Sequence, residues 1–437
     1  MIQKLKNQKQ ILQKLGIERL NEMQEEAKLA IGATSETVLL SPTGTGKTLA
    51  FLLPLIAELN PEVAQVQLLI IVPSRELAIQ IEQVTRSIGS GYKIHAAYGG
   101  QSFNTDRQAL KHPPAILIGT PGRLADHLRR NTFETHEIQR LVLDEFDKSL
   151  EVGFEGEMKE ILSLLPAVEK KVLTSATQGV EMPDFLGLSP KAITVNYLDS
   201  QRNNLRIKAI VSPEKDKLKT LVDALIHLGN APGIIFCNFK DTISRVSDYL
   251  KEHGIAHGCF YGGMEQRDRE LSLLKFRNGT HQLLLATDLA ARGIDVPEIE
   301  FIIHYHLPHR LEEFTHRNGR TARMQKEGTA YVLHWRNERL PDFIPTLEEE
   351  YLLDKDIPES SPWETICISG GRKDKISKGD IAGLFFKQGG IAKAHLGNIE
   401  IKNDQSFVAV HHSEVATMID KLNKTRLKKT KIALKKV

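Results

Sequence analysis

Apolar residues in the first half of the chain come in short continuous runs rather than in alternation with polar residues. Such runs are typical of strands covered on both faces, as in a largely parallel α/β sheet. Stretches with helical spacing, such as Glu76–Ile88 and Glu155–Leu165, lie between most of the runs. The predicted strands are Thr37–Leu40, Leu68–Val72, Lys93–Ala97, Ala115–Ile118, Arg140–Leu143 and Lys171–Thr174.

A second set of apolar runs begins after the polar stretch Asp199–Asn204 and has the same plan. The chain is therefore predicted to contain two successive α/β domains, residues 1–200 and 205–345, joined near residues 199 to 206. The strands predicted for the second domain are Ile207–Val211, Gly233–Cys237, Ala256–Phe260, Gln282–Ala286, Ile299–His304 and Thr329–His334.

Residues 363–437 follow a third pattern, β-α-β-β-α-β, which is typical of a small ferredoxin-like α+β sandwich. Before it, the acidic stretch Pro341–Pro362 is predicted to hold a helix and the linker 346–362. The elements predicted for the last domain are Thr365–Ser369, Lys378–Lys387, Ile391–Ile401, Ser406–His411, Ser413–Leu422 and Thr430–Leu434.

Charge is distributed unevenly between these domains. The whole chain of 437 residues has a formal net charge of +3. Residues 363–437 carry 15 basic and 7 acidic residues, a net charge of +8, whereas the rest carries 43 basic and 48 acidic residues, a net charge of −5. The near-neutral total conceals a basic module attached to a mildly acidic body.

Composition excludes several classes of protein. With 41% hydrophobic and 26% charged residues, the chain is neither disordered nor fibrous. Cys237, Cys259 and Cys367 are widely spaced, with no CxxC pair, so neither a disulfide framework nor a structural zinc site is predicted. The N-terminus is polar and basic, and no apolar run approaches a membrane span, so we expect a soluble cytoplasmic protein.

The segment SPTGTGKT follows the first predicted strand and precedes an apolar helix pattern. Its glycines let the backbone curl so that N–H groups and the positive helix end hold phosphate oxygens. Lys47 is then placed to bridge β- and γ-phosphates and Thr48 to bind Mg²⁺. The alternative is a glycine turn before a helix. The residues expected at the nucleotide are Ser41, Pro42, Thr43, Gly44, Thr45, Gly46, Lys47 and Thr48.

The predicted strand Arg140–Leu143 ends in DEFD, which places acidic side chains at the carboxyl edge of a parallel sheet, where ligands bind. Asp144 can hold hydrated Mg²⁺ opposite Thr48, and Glu145 can orient or deprotonate the water that attacks the γ-phosphate. A solvated turn is the alternative, but three neighbouring carboxylates are costly unless a cation or a basic partner compensates them.

At this point the sequence resembles the DEAD-box family of ATP-dependent RNA helicases, whose motifs occur here in the family's order over nearly all of residues 16–330. GIERLNEMQ resembles the adenine-reading Q motif, which implies that Gln24 pairs with the adenine edge. Leu20 and Asn21 stand where the family usually has Pro-Thr. Phe146 replaces the family's Ala, and we expect altered packing there with retained chemistry. The resemblance implies two RecA-like domains, ATP and Mg²⁺ as cofactors, and RNA as partner.

Three further motifs of the first domain resemble the family's RNA-backbone motifs. They are PSRELAIQ (residues 73–80), the pair Gly99 and Gly100, and TPGR (residues 120–123). Helix N-termini, glycine N–H groups and arginines can bind phosphates of the RNA backbone without reading the bases. The RNA-contacting residues implied are Pro73, Arg75, Gly99, Gly100, Thr120 and Arg123. SAT resembles the segment that links nucleotide state to strand separation, which makes Ser175, Thr177 and Asp147 candidates for coupling.

In the second domain, IIFCN, QRDR, ATDLAARGID and HRNGRTAR resemble the family's later motifs. Arg320 and Arg323 would be arginine fingers, because a guanidinium is a planar, permanently charged donor. Asn318 departs from the family's usual apolar residue. The other roles implied are RNA contact for Arg269, Thr287 and Asp288, approach to the ribose for Asp295, and coupling for His316.

This division of motifs predicts how the cycle works. Phosphate loop and acids belong to one domain and arginine fingers to the other, so a complete catalytic site is expected only when the domains close. ATP and RNA should each raise the other's affinity by the same factor. The resemblance adds that closure bends one RNA strand, so local unwinding of a short duplex is expected.

Residues 363–437 resemble the RNA-binding domain of DbpA-type DEAD-box proteins, most clearly in GGRKDKISKGDIAGLF, and look like a degenerate RNA recognition motif (RRM). Phe407 is the one aromatic in NDQSFVAV, where a sheet would present stacking residues. We therefore expect phosphate contacts through Arg372, Lys373, Lys375 and the Lys-rich end, for which a solvated face is the alternative. The resemblance implies a tether to a hairpin of large-subunit ribosomal RNA.

The sequence thus predicts an RNA-stimulated ATPase that rearranges short RNA duplexes during large-subunit ribosome assembly, with no obligate protein partner. One alternative is an ATP-gated RNA clamp with little turnover. Another is a DNA-directed motor.

Overall fold

The structure is a computed structural model that describes residues 8–177, 182–198, 205–288, 299–322, 327–357 and 359–437. The chain forms two compact units, and the second begins at Leu205. The predicted fold class, two parallel α/β domains followed by a small α+β domain, is confirmed.

The first unit is built on a parallel sheet. Its strands are β1 (Glu36–Leu40), β2 (Leu68–Ile71), β3 (Ile94–Ala97), β4 (Ile116–Gly119), β5 (Arg140–Leu143), β6 (Lys170–Ser175) and β7 (Ile193–Asn196). Its helices are α1 (Gln8–Leu15), α2 (Glu22–Ala33), α3 (Lys47–Ala57), α4 (Arg75–Ile88), α5 (Phe103–Leu110), α6 (Pro121–Arg129), α7 (Phe146–Glu151) and α8 (Glu155–Ser163).

The strand order of this sheet is β3-β4-β2-β5-β6-β1-β7. Every pair is parallel, so all carboxyl ends lie at one edge. The strands β2 and β4 are buried throughout, as their continuous apolar runs predict. The order brings the ends of β1, β5 and β6 side by side, which positions the phosphate loop beside the acidic strand end. The strand β7 is an edge strand that the patterns did not reveal.

The second unit repeats this plan. Its strands are β8 (Leu205–Ser212), β9 (Gly233–Phe236), β10 (Gly258–Phe260), β11 (Leu283–Ala286), β12 (Phe301–His304), β13 (Gly328–Trp335) and β14 (Glu348–Glu349), in the order β10-β11-β9-β12-β13-β8-β14. Its helices are α9 (Leu218–Leu228), α10 (Lys240–Glu252), α11 (Gln266–Arg277) and α12 (Leu311–Asn318).

The acidic stretch after β13 differs from its prediction, because its described residues contain no helix. Two of its glutamates form the edge strand β14, which pairs with β8. The carboxylate of Glu350 lies 2.6 Å from Lys208 Nζ and 3.3 Å from His227 Nε2. The acidic side chains thus attach this stretch to basic partners on the sheet and on α9.

The last domain has the predicted ferredoxin-like plan. Its strands are β15 (Trp363–Ile368), β16 (Leu396–Ile401), β17 (Ser406–His411), β18 (Arg426–Leu427), β19 (Thr430–Lys431) and β20 (Leu434–Lys436), and its helices are α13 (Lys378–Gly383) and α14 (Val415–Leu422). The four-stranded antiparallel sheet has the order β16-β17-β15-β20. Three predicted boundaries were wrong. The strand β16 begins five residues later than Ile391, and a π-helix, Leu384–Gly389, follows α13. The last strand of the sheet, predicted as Thr430–Leu434, is β20 and begins only at Leu434, because Thr430–Lys431 pairs with β18 instead.

Two findings concern membrane spans and disulfides, which the composition did not predict. None of the helices in the described ranges is long and apolar enough to cross a bilayer. The three cysteines are free thiols, of which Cys237 and Cys367 are buried.

Candidate nucleotide and RNA sites

The phosphate loop connects β1 to α3 at the carboxyl edge of the first sheet. Gly44 and Gly46 have φ values of 85° and 88°, in the left-handed region that favours glycine. A Cβ on Gly46 would lie 2.3 Å from Nε2 of Gln24, so a side chain there would displace that amide. The sequence therefore folds into a loop whose N–H groups can face a phosphate at the start of α3.

Lys47 is the first residue of α3, and its ammonium lies inside this loop. Its Nζ donates to the carbonyl oxygens of Ser41 at 2.5 Å and of Pro42 at 3.1 Å. Burial lowers the pKa of Lys47 to about 8, although the nearby Glu145 and Asp144 carboxylates favour its charged form. A polyanionic phosphate would favour the charged form further, so the lysine is suited to bind one.

The acidic residues after β5 are buried. Asp144 accepts a hydrogen bond from the hydroxyl of Thr174, and the backbone N–H of Glu145 donates to the same hydroxyl at 3.1 Å. Lys148 Nζ donates to Glu145 Oε2 at 3.0 Å. Glu145 has a φ of 50°, a strained value for a non-glycine residue that is typical of functional sites.

The charge balance around Asp144 fits a bound cation. Burial, and then the charge of Glu145, raise the pKa of Asp144 to about 6. A divalent cation would favour the ionised carboxylate, and oxygen ligands are what Mg²⁺ prefers. Thr48 lies in the first turn of α3. In the described parts of the chain, no cluster of three or more His, Cys, Asp or Glu could hold a metal alone, so nucleotide oxygens would have to share the coordination.

The predicted coupling residues form a hydrogen-bonded connection between neighbouring strands. Ser175 ends β6, and its Oγ donates to the carbonyl of Thr177 at 2.9 Å. The Thr177 hydroxyl donates to Asp147 Oδ2 at 3.0 Å. The N–H of Ser41 donates to the carbonyl of Ser175 at 3.0 Å. SAT thus contacts both the acidic segment and the start of the phosphate loop.

The segment with the predicted adenine-reading residue is also bonded to the phosphate loop. Asn21 caps α2, because its Oδ1 accepts from the N–H of Gln24 at 2.9 Å, while the Gln24 Oε1 accepts from the N–H of Asn21 at 3.1 Å. Gln24 Nε2 donates to the carbonyl of Gly46 at 3.2 Å, and Asn21 Nδ2 donates to that of Thr45 at 3.0 Å.

The predicted RNA-contacting residues of the first unit follow three adjacent strands. Pro73 follows β2, Gly99 and Gly100 follow β3, and Thr120 follows β4, all at the same edge of the sheet. A Cβ on Gly99 would lie 3.1 Å from Nη2 of Arg75, so the glycine lets that guanidinium approach the loop. The structure therefore brings these sequence motifs together.

Arg123 behaves differently from a surface phosphate ligand. Its Nε and Nη2 lie 2.8 and 2.7 Å from Oδ2 of Asp106, and Nη2 donates to the carbonyl of Gln101 at 3.1 Å. Asp106, together with its partners His95 and His127, belongs to no motif that we recognised in the sequence.

Phe146, the residue that replaces the family's alanine, is the first residue of α7. Its ring is buried in the apolar core beneath the acidic segment, together with Val38 and Leu143. The side chain thus fills the core and does not enter the site.

In the second unit, the predicted RNA-contacting Asp288 is paired with the buried Arg317. Nε and Nη2 of Arg317 donate to its two carboxylate oxygens at 2.6 and 2.5 Å. Arg317 also donates to the carbonyl of His306 at 2.7 Å and to Oδ1 of Asn238 at 2.8 Å. This arginine is in the recognised motif, but its four-bond network was not predicted from the sequence.

The remaining predicted residues of this unit lie as follows. The guanidinium of Arg269 is 5.0 Å from the ring centroid of Phe260, and the N–H of Thr287 donates to the carbonyl of Phe260 at 3.3 Å. His316 and Arg320 are buried. Asp295 and Arg323 lie outside the described residues.

The sheet of the last domain is covered by α11 of the same unit. Phe407, the expected stacking position, is only 9% exposed and packs with Cys367, Val437 and the α11 residues Leu271 and Leu274. Base stacking on this sheet, which the sequence disfavours, is also disfavoured by the packing, since a helix occupies the face around Phe407.

Polar contacts surround this apolar contact. Nη2 of Arg277 lies 2.8 Å from Oε2 of Glu400, and Asn278 Nδ2 donates to the hydroxyl of Thr365 at 3.1 Å. In contrast, Arg372, Lys373 and Lys375 are exposed. Basic side chains that could contact phosphate are therefore exposed on this domain, although its sheet is covered around Phe407.

A phosphate loop, a buried acidic strand end and a hydroxyl-bearing neighbouring strand at one sheet edge define the class of nucleotide-hydrolysing parallel α/β proteins. The DEAD/DEAH box helicase family matches residues 21–185, the helicase conserved C-terminal domain matches residues 216–325, and the DbpA RNA binding domain matches residues 365–436.

Relatives match over almost the whole chain. The ATP-dependent RNA helicase DbpA of Escherichia coli (strain K12) is 31% identical over 428 residues, covering 92% of this chain and 91% of that protein. The ATP-dependent RNA helicase DbpA of Bacillus subtilis (strain 168) is 30% identical over 460 residues, covering 97% of this chain and 96% of that protein. The chain belongs to the DEAD-box family of ATP-dependent RNA helicases, in its DbpA-type group.

Solved structures of two RNA-bound proteins are similar to this chain in fold. S. cerevisiae Dbp5 bound to RNA and ADP BeF3 has a TM-score of 0.66 and 27% identity, covering 74% of this chain and 86% of that one. Mss116p bound to ssRNA and AMP-PNP has a TM-score of 0.67 and 26% identity, covering 75% and 72%. The predicted helicase class, ATP binding and RNA binding are confirmed at this level.

Proposed function

We propose that this helicase separates short RNA duplexes locally in the cytoplasm, and that its last domain (residues 363–437) tethers it to structured RNA of the large ribosomal subunit during assembly. The observation that carries the tether is the covered sheet: α11 occupies the face around Phe407, while Arg372, Lys373 and Lys375 remain exposed. Backbone phosphates of a folded RNA suit such a basic loop better than unstacked bases do.

The roles proposed in hydrolysis follow from the geometry of the first unit. Lys47 and the N–H groups of the loop bind the nucleotide phosphates, and Gln24 reads the adenine. Asp144 and Thr48 would hold Mg²⁺, which neutralises phosphate charge. Glu145, oriented by Lys148, receives the proton of the attacking water.

Further roles belong to the second unit and the linker. We propose that Arg320 and Arg323 stabilise charge on the γ-phosphate, and that Arg317 orients Asp288. The proposed domain extents are residues 1–200 and 205–345 for the helicase domains and 346–362 for the linker. The charged contacts of Glu350 support a linker that is anchored to the second helicase domain.

The tether is tested by RNA-stimulated ATPase activity with the full chain. The double variant Arg372→Ala/Lys373→Ala removes two exposed charges from the basic loop. We expect it to need about tenfold more of a large-subunit ribosomal RNA fragment for half-maximal stimulation, as the loss of two phosphate contacts implies. Stimulation by an oligouridylate that the tether does not recognise should be unchanged.

The matched control is Lys387→Ala/Lys393→Ala, which removes two exposed charges elsewhere in the same domain. It should behave as the wild type. Equal loss in both double variants would mean that total charge, and not the basic loop, determines RNA affinity. A wild type with no RNA-stimulated hydrolysis would instead favour the clamp.

A further inference from the structure

A buried carboxylate, Asp106, is bonded to several groups near the predicted RNA-contacting loops of the first unit. Its side chain is fully buried on α5. It accepts hydrogen bonds from His95 Nε2 at 3.1 Å and from Arg123 Nε at 2.8 Å, and His127 Nε2 lies 3.5 Å away. The residues belong to β3, α5 and α6, so one carboxylate connects three elements.

This carboxylate is ionised at neutral pH. Burial alone would raise its pKa, but the hydrogen bonds from His127, His95 and Arg123 outweigh burial and hold the pKa of Asp106 well below its usual range. Asp106 thus carries a negative charge that balances the permanent positive charge of Arg123. A buried ion pair of this kind is costly to break, because the remaining partner stays buried without compensation.

Arg123 is bonded both to Asp106 and to the loop after β3, so it holds the two at a fixed distance. The side chain of Arg123 is only 11% exposed. Its Nη2 bonds both the carboxylate and the carbonyl of Gln101, the residue directly after Gly99 and Gly100. The same arginine lies in the first turn of α6, after Thr120. It therefore connects the glycine loop to the start of a helix.

We propose that Asp106 is a positioning residue for RNA binding, and that Arg123 holds the loop 99–101 and the start of α6 instead of contacting RNA phosphate itself. With both segments held at one spacing, their N–H groups are presented together to one RNA backbone. This inference rests on the proposed placement of RNA at these loops.

The two roles of Arg123 predict opposite effects of releasing it. If Arg123 contacts phosphate directly, replacing Asp106 by asparagine frees the guanidinium, and RNA affinity stays the same or rises. If Arg123 positions the loop, the same change loosens the loop and RNA affinity falls. Asparagine has nearly the shape of aspartate, so the substitution removes the charge that holds Arg123 with little change in packing.

The experiment measures ATPase activity of the full chain against oligouridylate concentration for Asp106→Asn, Arg123→Gln and the double variant. We expect each to raise the RNA concentration for half-maximal stimulation about tenfold, the size expected when charge-assisted hydrogen bonds are lost. The maximal rate at saturating RNA and the ATP affinity should stay within about twofold. Because the residues act as a unit, the double variant should be no worse than either single variant.

Two results would overturn the inference. One is an Asp106→Asn variant that binds RNA as the wild type does or more tightly. The other is a lower maximal rate and weaker ATP binding with unchanged RNA dependence, which indicates a merely structural role. If Asp106→Asn alone does not fold, the double variant, which leaves no unpaired charge, is measured instead, and wild-type RNA dependence in it would overturn the inference.

Controls separate this inference from the proposed RNA site. Asp126→Asn removes another carboxylate, which pairs with the exposed Arg130 at 2.8 Å, and should leave RNA dependence unchanged. Arg75→Ala tests the site itself. If Arg75→Ala has no effect on RNA dependence, the placement of RNA fails. If it weakens RNA binding and Asp106→Asn does not, only the positioning role fails.

Discussion

Nδ2 of Asn21 donates a hydrogen bond to the carbonyl oxygen of Thr45 at 3.0 Å, which connects the start of α2 directly to the phosphate loop. Asn21→Ser should separate this contact from helix capping. Serine caps helices about as well as asparagine but is too short to reach Thr45. We expect ATP to bind about threefold to tenfold more weakly, which a fluorescent nucleotide titration can measure.

Hydrogen exchange provides the control for this variant. Amides of α2 should keep wild-type protection, because the N-cap is retained. Weaker ATP binding accompanied by lost protection in α2 would show that the helix, rather than the contact with Thr45, was affected.

Glu145→Gln should stop turnover and retain nucleotide binding. Glutamine keeps the size of the side chain but is not a base, and general-base catalysis contributes about 10²-fold or more. Single-turnover hydrolysis and a nucleotide titration measure the two effects separately. Residual hydrolysis within tenfold of wild type would exclude Glu145 as the base.

The contact between Arg277 and Glu400 predicts a charge-swap result. Arg277→Glu places two carboxylates together at a contact of which only about a fifth of each side chain is exposed, and should destabilise the docking of the last domain by about 1–3 kcal/mol. The double variant Arg277→Glu/Glu400→Arg restores opposite charges. Hydrogen exchange of β15 and β17 should rise in the single variant and recover in the double.

If exchange stayed at the wild-type level in the single variant, the apolar contact around Phe407 alone would account for docking. If the double variant failed to recover, the orientation of the pair would matter, or the second partner of Glu400, Lys402, whose Nζ lies 3.2 Å from Oε1.

His304 should make the second unit less stable in acid. Burial, assisted by the charge of Arg317, lowers the pKa of His304 to about 3. The unfolded chain takes up a proton near pH 6.5 and the folded chain does not, so stability is lost as pH falls from 6.5 toward 3, by about 1.4 kcal/mol per pH unit from this residue.

The variant His304→Leu/Asn318→Leu tests this pH dependence. It removes the titrating ring together with its partner, whose Oδ1 lies 3.0 Å from His304 Nε2. Replacing both members of a buried hydrogen bond can be nearly neutral. The free energy of unfolding should therefore fall less between pH 7 and 5 than in the wild type, and an equal fall would exclude His304 as a source.

Local patterns were sufficient for the fold class but not for details set by distant contacts. Continuous apolar runs such as those of β2 and β4 indicated covered parallel strands, because burial on both faces leaves no alternation. The edge strands β7 and β14 escaped because they are short and largely exposed or acidic. The late start of β16 escaped because apolar residues near Ile391 fit a strand equally well.

The residues of the site likewise fall into those that local sequence predicts and those that only the fold brings together. Gly44, Gly46 and Lys47 lie within four positions of one another, so the sequence alone predicts their geometry. Asp106 and Arg123 are 17 positions apart and on different helices, so only the fold reveals their pairing. Likewise Asn318, a polar departure in the last motif, makes sense only beside the buried His304.

The helix α11 that covers the last domain has a practical consequence for shortened proteins. Leu271 and Leu274 are shielded by Cys367, Phe407 and Val437. Removing residues 363–437 would leave an apolar strip in water, and such strips promote self-association. A truncated helicase core would then lose activity through poor solubility, which is easily mistaken for loss of RNA targeting.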